Sequence, residues 1–242
     1  MVSATGILIR AHMRNISFAN GEFYHVYNRG TDKRVVFSDK SDMDRFVQSM
    51  EEFNSVEPIG SIFENSFIKK HQLGNPTSKS RDGKDKEKRL VNFVAFCINP
   101  NHYHFILEQL VDDGISMFMK RLGGGYTKYF NEKHKRSGVL FQGKYKAIHI
   151  DSNEYLLHSS AYVNLNDRVH QLGNPTSKQV KSRSSWGEYI GESKSNFCDK
   201  SIVLGQYKNM GEYKKFAQSS LEDILKRRAA NSDNTDIFAE EL

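Results

Sequence analysis

Asn99-Pro100-Asn101-His102-Tyr103-His104-Phe105-Ile106-Leu107 is the stretch whose reading decides the fold. Asn-Pro-Asn is turn chemistry, because proline presets φ and asparagine tolerates tight backbone geometry. The run before it, residues 91–98 (VNFVAFCI), is short and almost wholly apolar, as a buried strand is. The run after it, residues 103–108 (YHFILE), reads as a second strand, so the two predict an antiparallel hairpin. Alternate side chains of a strand share a face. His102 and His104 therefore project together, with Tyr103 on the other side. Two adjacent imidazoles can hold one divalent ion, although histidines so placed are also common as hydrogen-bonded structural residues.

A helix is predicted over residues 151–166, with Asp151 as N-cap and Glu154 three residues on. Tyr162 and Asn166 are four apart and share a helical face, which Tyr155 and Ser159 continue. Leu157, Ala161 and Leu165 form a neighbouring stripe that can pack on a sheet. Such a helix can lay a phenol and a carboxamide oxygen beside the histidine pair, with Asn166 as a third ligand. The plainer reading makes Tyr162 a packed aromatic and Asn166 a helix cap.

Residues 116–150 carry Lys120, Arg121, Lys128, Lys133, Lys135, Arg136, Lys144 and Lys146 against the single acid Glu132, a net +7. The whole chain is only +6. Tyr126, Tyr129, Phe130, Phe141 and Tyr145 are interleaved with these cations. Cations that follow phosphates and aromatics that stack on bases are how single-stranded nucleic acid is held. Arg121, Tyr126, Lys128, Lys135, Arg136, Lys144 and Lys146 are the candidate DNA contacts. A solvated basic face is the ordinary alternative.

The remaining sequence supplies scaffolding. With 242 residues, 38% hydrophobic, the chain can bury one core with extensions, or at most two domains. Its two cysteines, Cys97 and Cys198, show no metal or disulfide spacing, and no run is long and apolar enough for a membrane span. A cytoplasmic protein is expected, with no signal peptide and no membrane partner. Residues 22–28 (EFYHVYN) read as a strand. Residues 41–53 read as a helix with Ser41 and Asp44 as its capping pair. Residues 115–134 read as a helix that Gly123, Gly124 and Gly125 should weaken or bend. Strand-like pieces follow over residues 139–150.

We expect a weakly structured segment at 1–20, with Met13 as an alternative start, a domain over 21–215 interrupted by a basic loop at 67–90, and a tail at 216–242 that is frayed or helical with a disordered tip. The nonapeptide HQLGNPTSK occurs twice, at 71–79 and 170–178. Two copies that far apart make no solenoid. Insertion of a short repeat at two tolerant loops explains them, and a duplicated binding loop is the alternative.

The order of these pieces resembles the REP-associated tyrosine transposases, members of the single-tyrosine HUH transposase superfamily. The resemblance rests on YHVYNRG (24–30), NPNHYHFIL (99–107), GGGYTKYFN (123–131), GVLFQGKYK (138–146) and YVNLN (162–166), and SSWGEYIG (184–191) is similar to the family's C-terminal part. The family usually has proline after the last asparagine of YVNLN, where this chain has Asp167. The resemblance implies an α+β fold, a ferredoxin-like sandwich with a mostly antiparallel central sheet and helices on its faces. It implies that His102, His104 and Asn166 hold a divalent metal, Mg²⁺ or Mn²⁺, and that Tyr162 is the nucleophile. The implied activity is cleavage and rejoining of single-stranded DNA near hairpin-forming repeats, through a 5′-phosphotyrosine.

Three other readings stand beside it: a hairpin or single-strand binding protein without catalysis, a zinc hydrolase, for which no HExxH is present, and a nucleophile other than Tyr162, with Tyr155, Tyr126 and Tyr129 as candidates. A monomer and a homodimer are equally compatible with the sequence.

Overall fold

The computed structural model describes residues 16–62, 89–170 and 180–230. Its centre is a five-stranded antiparallel sheet in the order β4-β1-β3-β2-β5. The elements are β1 (Phe23–Arg29), α1 (Lys40–Glu52), β2 (Val91–Asn99), β3 (His102–Gln109), α2 (Gly114–Lys133), β4 (Lys146–Ile150) and α3 (Asn153–Asn164). After these come α4 (Asn166–Val169), β5 (Arg183–Ser184), α5 (Trp186–Tyr189), α6 (Ser201–Leu204) and α7 (Met210–Ala230). The first four strands and two helices follow the split β-α-β-β-α-β order with strands arranged 4-1-3-2, which is the expected ferredoxin-like α+β arrangement.

β3 is the central strand, hydrogen-bonded to β1 on one edge and β2 on the other, and helices cover it on both sides. On one face Tyr103, Phe105 and Leu107 pack with Phe46, Met50, Phe118 and Leu122 of α1 and α2. On the other, Ile106 belongs to a second cluster with Tyr162 of α3, which continues outward to α7 residues such as Tyr213. Double coverage is why β2 reads as a continuous apolar run rather than an alternating one. β2 also contains a bulge: Phe93 pairs with Leu107 but Ala95 with Ile106, leaving Val94 over. Val94 and Ala95 consequently both belong to the core on the α3 side. Asn54, just past α1, clamps the start of β2 by accepting from the Leu90 and Val91 amides and donating to the Val91 carbonyl.

Several sequence-based boundaries shift. The N-cap of α1 is Asp39, which accepts from the Asp42 amide, rather than Ser41. Asp42 is buried and is held by Lys133 (2.7 Å) and His134 (3.0 Å) at the far end of α2, so it ties the two helices together. The N-cap of α3 is Ser152 rather than Asp151, and α3 stops at Asn164. The three glycines do not interrupt α2, which is helical throughout. The boundary expected at residue 215 falls inside α7, where Tyr213, Ala217, Ser220 and Ile224 are buried. The segments 1–15, 67–88 and 231–242 lie outside the described residues, as do both HQLGNPTSK copies except for His170. No described helix is long and apolar enough to cross a membrane.

Gly125 has a packing reason to be glycine. A methyl there would lie 2.6 Å from two ring carbons of Phe53, whereas one on Gly124 meets nothing within 4 Å. We expect Gly125→Ala to destabilise the protein by about 1–3 kcal/mol through overpacking. Gly124→Ala should raise stability by up to ~1 kcal/mol by favouring the helix. Urea denaturation of the two variants checks the opposite signs.

Candidate active site

The histidine face of β3 looks toward α3 and α4. His102 is 3% exposed and His104 and Asn166 are fully buried. His102 Nδ1 lies 2.6 Å from Asn101 Oδ1, an atom that can only accept, so Nδ1 carries the proton. Its Nε2 is then the bare nitrogen, and it accepts from Asn99 Nδ2 at 2.7 Å. The same amide donates to Asn166 Oδ1 at 2.7 Å, and that oxygen is 3.0 Å from His102 Nε2. Two lone-pair atoms thus converge in a dry place and are reconciled there by one shared N–H donor. The His104 ring stands perpendicular to His102, with centroids 5.3 Å apart.

Among the described residues no three His, Cys, Asp or Glu side chains are grouped to hold a metal ion. The convergent set is instead imidazoles with a carboxamide. Its donor chemistry fits a divalent cation, because the bare His102 Nε2 and Asn166 Oδ1 already meet and the opposite ring nitrogen of His102 is committed elsewhere.

α3 brings the phenol to this place. The Tyr162 ring stands edge-on to His104 at 5.6 Å and to His25 at 5.9 Å, and the residue is 1% exposed. Expecting one uninterrupted helix through Asn166 was wrong: Leu165 leaves helical geometry, and Asn166 opens the short α4. The offset still delivers the carboxamide to His102. Tyr155 is half-buried on the same helix, and Tyr126 and Tyr129 lie in or against the core on the other face of the sheet.

A buried polar network fixes the end of α3. Asn164 donates to the Tyr213 hydroxyl (2.9 Å) and accepts from Ser185 Oγ (2.6 Å). Ser185 Oγ also accepts from the Phe96 amide (2.9 Å), and Tyr189 donates to the Val94 carbonyl (2.9 Å). The SSWGEYIG segment therefore staples α3 to β2 and α7. Sequence reading assigned Ser185, Asn164 and Tyr213 no role. Their pairing joins residues up to 49 positions apart, and periodicity cannot reveal it.

His25 is a further residue at the site, whose part the sequence left open. Its Nε2 lies 2.9 Å from His104 Nδ1, and both rings are fully buried. Tyr27 stacks on His104 at 5.5 Å, and Lys146 sits 5.9 Å over the Tyr27 ring. Arg29 pairs in register with His102 and bonds Gln142. On the other side, His170 packs 4.9 Å from His102, with Arg228 of α7 3.5 Å from its Nδ1.

The candidate DNA contacts divide. Lys128 and Lys144 are exposed and, with Lys120, Phe141 and Tyr145, line a cleft of about 700 Å³ on the α2 face of the sheet, opposite the histidines. Lys146 lies at the histidine side, over Tyr27. Lys135 is exposed in a left-handed turn conformation. Tyr126 cannot stack on a base, because it is fully buried and its hydroxyl donates to the Val36 carbonyl at 2.6 Å. Helical amphipathicity puts it on the core side of α2. Arg121 caps the Ser55 and Val56 carbonyls, and Arg136 is committed to Asn131 (2.7 Å) and the Val139 carbonyl (3.1 Å).

Burial keeps the imidazoles neutral. Desolvation lowers His25 and His170 to about 3 and His102 to about 4, and pushes His104 well below its ordinary value. Unfolded histidines titrate near 6.5, so below that pH the unfolded chain binds more protons than the folded one. Stability contributed by these groups is complete above pH ~6.5 and falls as the pH drops from there toward about 4 for His102 and about 3 for His25 and His170, by up to ~1.4 kcal/mol per pH unit per histidine. Metal-free urea titrations at pH 7.5 and 5 should show the midpoint falling, with a shallower fall in His170→Gln.

Residues 82–166 match the family described as IS200-like transposases. No curated protein matches the chain. Among solved structures the chain is similar to a REP-associated tyrosine transposase bound to a REP hairpin, at 12% identity and a TM-score of 0.45, over 78% of this chain and 94% of that one. The family match runs from ahead of β2 to the first residue of α4, and so takes in His102, His104, Tyr162 and Asn166.

Proposed function

We propose that this protein cleaves and rejoins single-stranded DNA near hairpin-forming repeats, with Tyr162 as nucleophile and His102, His104 and Asn166 as holders of a divalent cation. The observation that carries the reading is the meeting, in one buried place, of His102 Nε2 with Asn166 Oδ1 at 3.0 Å, beside a His104 ring that touches the Tyr162 ring. Sequence separation alone would scatter these groups.

When bound, the cation, Mg²⁺ or Mn²⁺, would neutralise charge developing on a scissile phosphate. The chain's own residues do the rest. The Tyr162 oxygen attacks phosphorus and its proton passes to solvent. The bond from phosphorus to the 3′ oxygen breaks, and that oxygen leaves with the electron pair and takes up a proton. The products are a 5′-phosphotyrosine and a free 3′-hydroxyl. Attack by another 3′-hydroxyl on the phosphotyrosine reverses the sequence and expels the phenol, so joining needs no nucleotide cofactor. Arg29 and Lys146 flank the site and can follow the strand's phosphates. The cleft with Lys128, Lys144 and Tyr145 offers cations and an aromatic on the opposite face.

A second reading, a hairpin-binding protein without cleavage, has one observation in its favour: Tyr162 is 1% exposed, so the phenol reaches a phosphate only after the elements around it part. A labelled single-stranded hairpin substrate separates the readings. Wild type with Mn²⁺ should form a denaturation-resistant protein–DNA adduct, lost on chelation and at least 10³-fold reduced in Tyr162→Phe, the scale expected when a nucleophile is removed. Binding without adduct supports the second reading. For the cleft, Lys128→Ala and Lys144→Ala should each weaken hairpin binding and reduce the slope of log K against log salt by about 1. Unchanged slopes would remove the cleft from the DNA path.

A further inference from the structure

The two histidines of β3 are oriented by different partners. Asn101 accepts from His102 Nδ1–H and leaves no choice of tautomer. His104 has an imidazole in that place: His25 Nε2 lies 2.9 Å from His104 Nδ1, with the two ring planes 19° apart. The contact is built in by the sheet. His25 pairs with Ile106 and Tyr27 with His104, so His25 is the diagonal neighbour of His104 on the same face. Tyr27 stacks on both rings, at 5.1 Å and 5.5 Å, and holds them in register. Between two neutral imidazoles the bridging proton can sit on either nitrogen. Only one choice, the proton on His104 Nδ1, leaves His104 Nε2 bare.

We propose that His25 is a positioning residue that accepts the His104 Nδ1–H bond and so turns the bare Nε2 of His104 toward the cation, as Asn101 does for His102. This rests on the reading of His102, His104 and Asn166 as cation holders. The YHVYNRG motif thereby acquires a role: its histidine is the orienting partner of one ligand, reached across the strand pair. Among the described residues the buried His25 Nδ1 has no hydrogen-bond partner, so none of them fixes from the far side of the ring which way it donates. Binding of a cation at His104 Nε2 would decide it.

The test measures metal binding, not cleavage. Mn²⁺ affinity of the full chain is measured by isothermal titration or by the free-Mn²⁺ electron paramagnetic resonance signal, for wild type, His25→Phe and His25→Gln. His25→Phe keeps a ring and removes the acceptor, and His25→Gln restores an acceptor oxygen. We expect 10- to 100-fold weaker binding in His25→Phe, the range found for partners of ligating histidines, with substantial recovery in His25→Gln. In wild type loaded with diamagnetic Mg²⁺ or Zn²⁺, nitrogen-15 correlation spectra should show His104 protonated at Nδ1 only; this measurement needs no variant to fold. Equal Mn²⁺ affinity in wild type and a folded His25→Phe overturns the proposal, as does a His104 protonated at Nε2 in the loaded protein. Wild type that binds no Mn²⁺ overturns it together with the cation-holding reading. A Mn²⁺-binding wild type that forms no covalent adduct sinks only the cleavage reading.

Discussion

The structure depends on the strict alternation of side chains along a strand that is covered on both faces. β3 has no solvent side, so each of its residues must suit one of two dry environments. Tyr103, Phe105 and Leu107 fill one with hydrocarbon, while His102 and His104 turn polar rings into the other. Buried polar rings are costly unless bonded, and each finds a partner here: Asn101 and Asn99 for His102, His25 for His104. The hydrogen-bonded cluster on the histidine face is the consequence of placing imidazoles where water cannot reach.

That face needs a lid that brings polar groups of its own, and α3 supplies it. From Ser159 to Asn164 the helix is buried all round, small polar residues included, because it lies between the sheet and α7, which is why the stripe of Leu157, Ala161 and Leu165 did not single out its packing side. Its position is set less by that burial, which is non-directional, than by the Asn164, Ser185 and Tyr213 network, whose bonds have direction. A hydrophobic interface alone would let the helix slide by fractions of a turn. The network makes the Tyr162 ring meet His104 in one way.

Much of this was legible in the residues. The Asn-Pro-Asn turn, the apolar run before it and the alternation after it place the hairpin and the shared face of His102 and His104. The i, i+4 spacing put Tyr162 and Asn166 on one helical face, but the helix breaks between them, and Asn166 meets His102 from the start of α4. What escaped depends on neighbours distant in sequence. Tyr126 looked like a stacking platform because composition does not say which side of α2 meets the sheet. The caps went to Asp39 and Ser152 instead of Ser41 and Asp151, since acceptor residues lie close together at both helix starts. The glycine triplet looked like a weak point, because the ring of Phe53 pressing on Gly125 comes from another helix's end.

The surplus residue at Val94 has a bearing on how such a chain tolerates change. Register in a buried sheet is unforgiving: a slip of one position would present Tyr103 where His102 belongs. Here β2 begins at a fixed dock, the Leu90 and Val91 amides gripped by Asn54, and the bulge follows a few residues later. From Ala95 to the Asn-Pro-Asn corner and back, the hairpin keeps its own count. The imidazoles are thus insulated from what happens upstream, and a stretch of chain ahead of the dock can grow or shrink without putting the site out of phase.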